Sequence, residues 1–477
     1  MSLCFLQYGR MRFVASLLLV LGLQGWGLQS LAQGDADKPN IVLILVDDLG
    51  FGDISVNGAE KIQTPNIDSI AADGANFSQF YASANICTPS RAGLLTGMYP
   101  VRTGLAHGVV TANDKRGLPK SLDTLATMLK RADYRSKMVG KWHLGNFPEY
   151  NPLDYGFDQF FGAPFSNDMK GFALYDGREK VQGPLDQSLL TSNYSKEAID
   201  FIQDMAQEKA KSDVGAGSDA GKDENQPFFL FVSHNMPHIP LYASKAFQGR
   251  SKAGVYGDVV EELDWSVGEI IKTLKAHGFY DNTIIAFTSD NGPFFEGSVA
   301  GLKGGKGSTY EGAYRVPLVL SWPARLKGGK EIDAISMNID LFPTFAEAAG
   351  LTIPEGDVDG KSLLAVVESN QAQHQFLYLF NNENVVSVRS QNWKYLTRSY
   401  YRRSIGDFSN FDVLPGFNRA YDLLFKMNDA DGEQYSLAER HPEVLRKHKA
   451  ELQRARKIFN AYRTRPEEKV FPERPAE

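Results

Sequence analysis

The run Asn85-Ile86-Cys87-Thr88-Pro89-Ser90-Arg91 puts a thiol and a guanidinium four residues apart across a proline. Proline suits a first helical position, which would leave Thr88 or Cys87 at the cap. The four-residue spacing then sets Cys87 and Arg91 on one helical face. The helix N-terminus and the guanidinium both favour an anion beside position 87. A buried, inert thiol is the competing reading, since cysteine is often buried, but it leaves Pro89 and Arg91 unexplained. Elsewhere, Asp47-Asp48 and Asp290-Asn291 form an all-oxygen set. Hard cations such as Ca²⁺ or Mg²⁺ prefer such ligands, whereas zinc takes His or Cys. Either pair alone could be an ordinary turn. Lys141 and His143 flank Trp142, His234 and His238 share one loop, and Lys306 sits among glycines that let backbone approach a ligand closely.

These residues follow short apolar runs that read as buried strands, at 40–46, 135–139, 227–232, 283–288 and 316–321. Helical patterns lie between them, at 121–131 with Ser121 as N-cap, 194–208 and 257–277. Strands alternating with helices imply an α/β fold with a mostly parallel central sheet flanked by helices on both faces. Ligands bind such sheets outside the carboxyl ends of the strands. Four strands here deliver ionisable residues to that edge: Asp47-Asp48, Lys141 with His143, His234 with His238, and Asp290-Asn291. Residues 209–226 read as a solvated loop. From residue 375 onward, runs at 376–380, 385–389 and 393–397 read as short antiparallel strands, followed by a charged helix at 444–462. This predicts a small C-terminal α+β subdomain over 375–477, after a catalytic domain over 33–374.

Residues 1–32 read as a signal peptide, with Arg10 and Arg12 at its basic start, an apolar run over 13–23, and Ser30-Leu31-Ala32 as the cleavage signal. The apolar run is short for a bilayer span, which needs about 20 residues. The expected location is therefore periplasmic or secreted, with no membrane attachment after cleavage. Cys4 would leave with this segment, so Cys87 would be the sole cysteine of the mature chain, in a compartment where structural cysteines come in pairs. The formal charge is −6, or −8 without Arg10 and Arg12, which excludes nucleic-acid binding by bulk charge. An anionic substrate would need a local basic pocket.

Cys87-Thr88-Pro89-Ser90-Arg91 followed by Leu94-Leu95-Thr96-Gly97 resembles the signature of the type I sulfatases of the alkaline-phosphatase superfamily. The resemblance extends, in the family's order, over Asp47-Asp48-Leu49-Gly50-Phe51-Gly52-Asp53, Thr64-Pro65-Asn66-Ile67-Asp68, Gly140-Lys141-Trp142-His143-Leu144-Gly145, Ser289-Asp290-Asn291-Gly292 and Gly305-Lys306-Gly307-Ser308-Thr309-Tyr310-Glu311-Gly312. It covers residues 40–325 and implies an alkaline-phosphatase-like fold. It also implies that a maturation enzyme converts Cys87 to Cα-formylglycine, an aldehyde whose hydrate is a gem-diol. By the same resemblance Asp47, Asp48, Asp290, Asn291 and residue 87 hold the metal, Ca²⁺ in preference to Mg²⁺. One diol oxygen, its proton taken by Asp290, attacks the sulfur of a sulfate ester. The leaving alcohol is protonated by His238 or Lys306. The second hydroxyl, deprotonated by His143, then expels sulfate, while Arg91, Lys141 and Lys306 hold negative charge. In the family the sulfate-contacting histidine precedes x-Pro, which selects His238. Ser166 is implied as a further position that contacts the substrate near sulfate, and His234, by its place at a strand end, is expected to be a supporting or substrate-contacting residue. The expected substrate is a sulfated small molecule or carbohydrate. A phosphate or phosphonate ester hydrolase is the enzymatic alternative, and a binding protein without turnover is the alternative from another class.

Overall fold

Strand β1 (Asn40–Val46) is buried along its whole length, and this property sets the architecture. Ile41, Leu43 and Leu45 enter one apolar cluster, while Val42, Ile44 and Val46 enter another. A strand buried on both faces requires a layer of helices on each. The computed structural model describes residues 38–215, 226–397, 422–427 and 432–464 and supplies both layers. The first 32 residues and most of the loop expected at 209–226 lie outside the described residues.

The central sheet comprises β1, β2 (Gly74–Phe77), β3 (Arg135–Lys141), β4 (Gln159–Ala163), β5 (Tyr175–Asp176), β6 (Glu179–Lys180), β7 (Phe228–Ser233), β8 (Thr283–Ser289), β9 (Leu318–Ser321) and β10 (Lys330–Ile332). Their spatial order is β10-β2-β9-β8-β1-β7-β3-β4-β5-β6. Strands β4, β3, β7, β1 and β8 are mutually parallel, so their carboxyl ends share one edge. Strand β9 runs antiparallel to both β8 and β2. A parallel neighbour would need a full crossover, and only a four-residue helix intervenes between β8 and β9.

The helices are α1 (Pro65–Ala72), α2 (Cys87–Thr96), α3 (Leu125–Lys130), α4 (Leu190–Gly215), α5 (Gly254–Ala276), α6 (Glu311–Tyr314), α7 (Leu341–Ala348), α8 (Leu364–Ser369) and α9 (Pro442–Phe459). Apolar side chains of α2, α3, α7 and α8 cover one face of the sheet; those of α1, α4 and α5 cover the other. Helix α3 starts later than Ser121 suggested. Thr124 is its cap, exchanging bonds with Thr127, whose hydroxyl accepts the Thr124 N–H at 2.7 Å. Helix α4 is longer than expected and runs to Gly215, beyond the predicted loop boundary at 209.

Strands β11 (Leu377–Asn381), β12 (Asn384–Arg389), β13 (Trp393–Leu396) and β14 (Leu423–Lys426) form the small antiparallel sheet. The three expected strands are present; β14 is the fourth, and it lies among polar residues that gave no strand pattern. Helix α9 buries His448, Leu452, Ala455 and Phe459 as one stripe. Leu377, Leu379 and Phe459 share an apolar cluster with Tyr81, Tyr99 and Met337, so this sheet is packed against the segments that flank α2 and α7.

Candidate active site

Helix α2 begins at Cys87 itself, with Ile86 as its cap, so Pro89 is the third helical residue and not the first. All ten residues of α2 are buried, Cys87 at 2 % exposure. Arg91, one turn on, is locked in place. Its Nε donates to Asp290 Oδ2 at 2.8 Å, and its Nη1 donates to Ser233 Oγ at 2.7 Å and to the Lys141 carbonyl at 3.0 Å. Its Nη2 lies 3.8 Å from Asp47 Oδ1. One guanidinium thus ties together the ends of β1, β3, β7 and β8. Ser233, which sequence reasoning passed over, also donates to the Lys141 carbonyl at 2.7 Å. Its only signal was its place at the end of a strand, like the residues that were recognised.

The carboxylates converge as the strand ends predicted. Ligand atoms of Asp47, Cys87 and Asp290 lie within 4.8 Å of one another, as do those of Asp47, Asp48 and His238. Lys141 Nζ pairs with Asp47 and donates to Ser166 Oγ at 2.5 Å. Lys306 Nζ lies 2.7 Å from the Asp48 carboxylate. Asn291 Nδ2 donates to Asp48 Oδ1 at 2.7 Å, which turns Asn291 Oδ1 away. Asp47 Oδ1 and Asn291 Oδ1 are buried without hydrogen-bond partners. Buried acceptors are seldom left unpaired, and two orphaned oxygens beside three carboxylates fit a hard divalent cation.

Asp48 and His143 adopt positive φ, 67° and 61°, at the ends of β1 and β3. Such backbone in non-glycine residues is strained and concentrates at functional sites. Between them, Gly140 at φ 105° leaves no room for a side chain, because a Cβ would stand 1.9 Å from the Ser233 carbonyl oxygen.

The electrostatics sort these groups. Burial opposes the charge on Asp47, but Lys141, His238, Arg91 and Lys306 together hold its carboxyl well below the usual range. Burial and the neighbouring charge of Asp47 push Asp290 up to about 7, against Arg91 and Lys141. Burial also raises the Cys87 thiol, and Lys141 and Lys306 do not reverse the shift. A thiol here is therefore a poor nucleophile, since the thiolate is the reactive form. His143 is held well below its usual value by burial, with Lys141 and Arg91 adding to the effect. Its Nε2 faces the Val110 carbonyl at 3.0 Å and so carries the proton, while its buried Nδ1 has no hydrogen-bond partner. His238 Nδ1 lies 2.5 Å from the Ile239 carbonyl, which places the proton there and turns Nε2 toward Asp48, 3.7 Å away.

His234 is the exception among the expected site residues. Phe228, Leu230 and Val232 face the α4 and α5 layer, and His234 continues that alternation. Its ring packs against Tyr194, and its Nε2 lies 3.4 Å from Ser266 Oγ. Of the two roles expected for it, supporting or substrate-contacting, this packing in the core is geometry of the supporting kind. Burial lowers its pKa from 6.5 to about 3. Its neutral form favours the folded state fully above pH 6.5, and this contribution falls as pH drops from 6.5 toward 3. By pH 5 the loss amounts to about 2 kcal/mol. His234→Gln should flatten the decline in denaturant-measured stability between pH 7 and pH 5; an unchanged slope would assign the decline to other groups.

A sulfatase family model matches residues 39–351, and a model of the N-sulphoglucosamine sulphohydrolase C-terminal region matches residues 305–411. N-acetylgalactosamine-6-sulfatase of Mus musculus is 36% identical over 410 residues, covering 79% of this chain and 75% of its own. Arylsulfatase A of Bos taurus is 33% identical over 444 residues, covering 86% and 85%. Among solved structures, Ps i-CgsB in complex with k-i-k-neocarrahexaose superposes with a TM-score of 0.74 at 28% identity, over 88% of this chain and 92% of that one. A Bacteroides thetaiotaomicron sulfatase, from work on the metabolism of multiple glycosaminoglycans, gives a TM-score of 0.75 at 26% identity, over 88% and 99%. With its fold, its strand-end cluster and these relatives in agreement, the chain belongs to the sulfatase family, the hydrolases of sulfuric esters.

Proposed function

We propose that this sulfatase cleaves sulfate monoesters of carbohydrates outside the cytoplasm, with residue 87 matured to Cα-formylglycine and a divalent cation, Ca²⁺ before Mg²⁺, beside it. The observation that carries this reading is the meeting of Asp47, Asp290 and Cys87 within 4.8 Å of one another, next to two orphaned oxygens. When present, the hydrated aldehyde supplies a nucleophilic oxygen and the cation supplies Lewis acidity. Asp47, Asp48, Asp290, Asn291 and the side chain at position 87 would hold the cation.

The chain's own groups supply the proton and charge handling. His143, kept neutral by burial and by Lys141 and Arg91, has a free Nδ1 lone pair and is a weak base placed to accept a proton. Asp290 takes the proton of the attacking oxygen. His238, its Nδ1–H held by a carbonyl, turns Nε2 toward Asp48 and would protonate the leaving alcohol from there only as the imidazolium; Lys306, 2.7 Å from the same carboxylate, is the alternative donor. Lys141, braced by Ser166, and Arg91 balance negative charge on the reacting group. Cys87 is buried in the fold, so a maturation enzyme must meet this segment before the fold closes. Export rests on the signal-peptide reading of residues 1–32. Among the described residues no helix is long and apolar enough to cross a membrane.

A carbohydrate substrate agrees with the names of the relatives. It also agrees with Phe295, 78 % exposed in the loop after Asn291, where an aromatic face can stack on a sugar ring. Turnover of aryl sulfate, aryl phosphate and sulfated monosaccharides, with and without chelator, tests the proposal. Sulfate release should far exceed phosphate release, and chelation should abolish it. Re-adding metal at a hundred times its Kd should restore turnover and raise stability by about 2.7 kcal/mol, read as a higher Tm. Faster phosphate release would make the chain a phosphoesterase, and a Tm indifferent to metal would remove the cation.

A further inference from the structure

Behind the loop that carries Lys306 lies a second set of buried charges that the chemistry above leaves unused. Glu311, the first residue of α6, is wholly buried. Its Oε2 accepts from the Tyr81 hydroxyl at 2.6 Å, and that hydroxyl accepts from Arg389 Nε at 2.9 Å. Its Oε1 lies 3.2 Å from Nζ of Lys394, a fully buried residue of β13. The same ammonium stands 2.7 Å from Oε1 of Glu433, which lies beyond β14. The other Glu433 oxygen accepts the backbone N–H of Glu311 at 2.6 Å, and Lys303 Nζ donates to the Glu433 carbonyl at 3.3 Å. Glu311 and Glu433 are thus balanced by Lys394 and, through Tyr81, by Arg389.

Buried ion pairs commonly cost as much in desolvation as they return, so stability alone is a weak reason for such a cluster. Its position offers a better one. Glu311 is five residues after Lys306; Gly304 and Gly305 precede that lysine and Gly307 follows it. Glycine lends a backbone little stiffness, so the loop must be held at its ends. At the near end Lys306 N–H donates to the Pro293 carbonyl at 2.8 Å and Gly307 N–H to the Asn85 carbonyl at 2.9 Å. At the far end the side-chain anchor is Glu311, and Glu433 and Lys394 hold it. We propose that Glu433 and Lys394 are positioning residues for Lys306: through Glu311, the C-terminal segment keeps the Lys306 ammonium against Asp48 and within reach of the sulfate ester. The inference rests on the proposed role of Lys306 in charge stabilisation.

Glu433→Gln is the sharpest probe. A carboxylate accepts from both the Glu311 N–H and Lys394, whereas an amide offers one acceptor and turns an NH₂ toward the other donor. The test is a double-mutant cycle on the metal-loaded full chain, reading kcat and KM for aryl sulfates whose phenols differ in acidity. Lys306→Ala should lower kcat/KM about 100-fold or more. Glu433→Gln should lower it about 10-fold, in the same kinetic parameter and with the same dependence on the leaving group. The double variant should be no worse than Lys306→Ala alone, because the anchor has nothing left to position. Glu433→Asp, which keeps both acceptors, should recover part of the loss, and it replaces the Gln variant if that one does not fold. Additive losses, or normal kinetics in Glu433→Gln, overturn the inference while leaving the role of Lys306 intact. Normal kinetics in Lys306→Ala overturn that role, and the inference with it.

Discussion

Cys87→Ala is expected to lower sulfate-ester turnover by at least about four orders of magnitude while changing unfolding free energy by no more than about 1 kcal/mol. Two features separate these effects. The side chain lost is small, and it lies at the first residue of a helix whose other buried residues keep their packing. Yet the group sits among Asp47, Asp290, Lys141 and Lys306, and burial holds the thiol in its unreactive protonated form. The native protein should therefore carry something other than a thiol at this position. Mass spectrometry of the peptide containing residue 87 should show a loss of about 18 Da relative to cysteine, the thiol-to-aldehyde change. Full activity from unmodified Cys87 would end the formylglycine proposal. Global unfolding of the alanine variant would reduce Cys87 to a packing residue.

Arg91→Ala is expected to have the largest effect on stability, a loss of about 3–5 kcal/mol in metal-free protein. Arg91 is 2 % exposed, and its partners Asp290 and Asp47 are fully buried, so solvent screens none of the interaction. Removing the guanidinium strands the Asp290 carboxylate, leaves Asp47 with Lys141 as its paired cation, and takes the donor from Ser233 Oγ, while the Lys141 carbonyl keeps its bond from Ser233. A bound divalent cation would offset part of the charge. The loss measured by denaturant unfolding should therefore shrink when metal is added, and turnover should fall in either state. A destabilisation under about 1 kcal/mol, the range of exposed pairs, would show that Arg91 does not clamp the strand ends.

Much of this site was legible because a parallel sheet gathers strand ends by construction. Once the apolar runs ending at Val46, Val232 and Thr288 are read as parallel neighbours, the polar residues after them must share an edge. What periodicity could not supply was which face a residue takes. The strands are buried on both sides, so their apolar runs show no alternation to read. His234 and His238 were therefore indistinguishable by pattern. The α4 and α5 layer turned His234 into the core, while the loop brought His238 back to Asp48. The cap of α2 was misjudged for a local reason: proline is tolerated throughout the first helical turn, where N–H groups lack intrahelical partners anyway, so Pro89 marks that turn and not its first residue.

The sequence by itself determined the chemistry on offer. Residue types and order specify the oxygen ligands, the cations and the cysteine at a helix start, and apolar runs of strand length specify a layered α/β fold. Only the tertiary structure decided how these groups are used. It left Asp47 Oδ1 and Asn291 Oδ1 without partners and freed Nδ1 of His143 by giving Nε2 to Val110. It also joined Tyr81, Glu311, Lys394 and Glu433 into one buried cluster under the Lys306 loop. The physical reason is range. Propensity and periodicity act over a few residues, whereas a buried charge is stabilised by whatever the fold brings within about 4 Å of it, here from segments more than 300 residues apart.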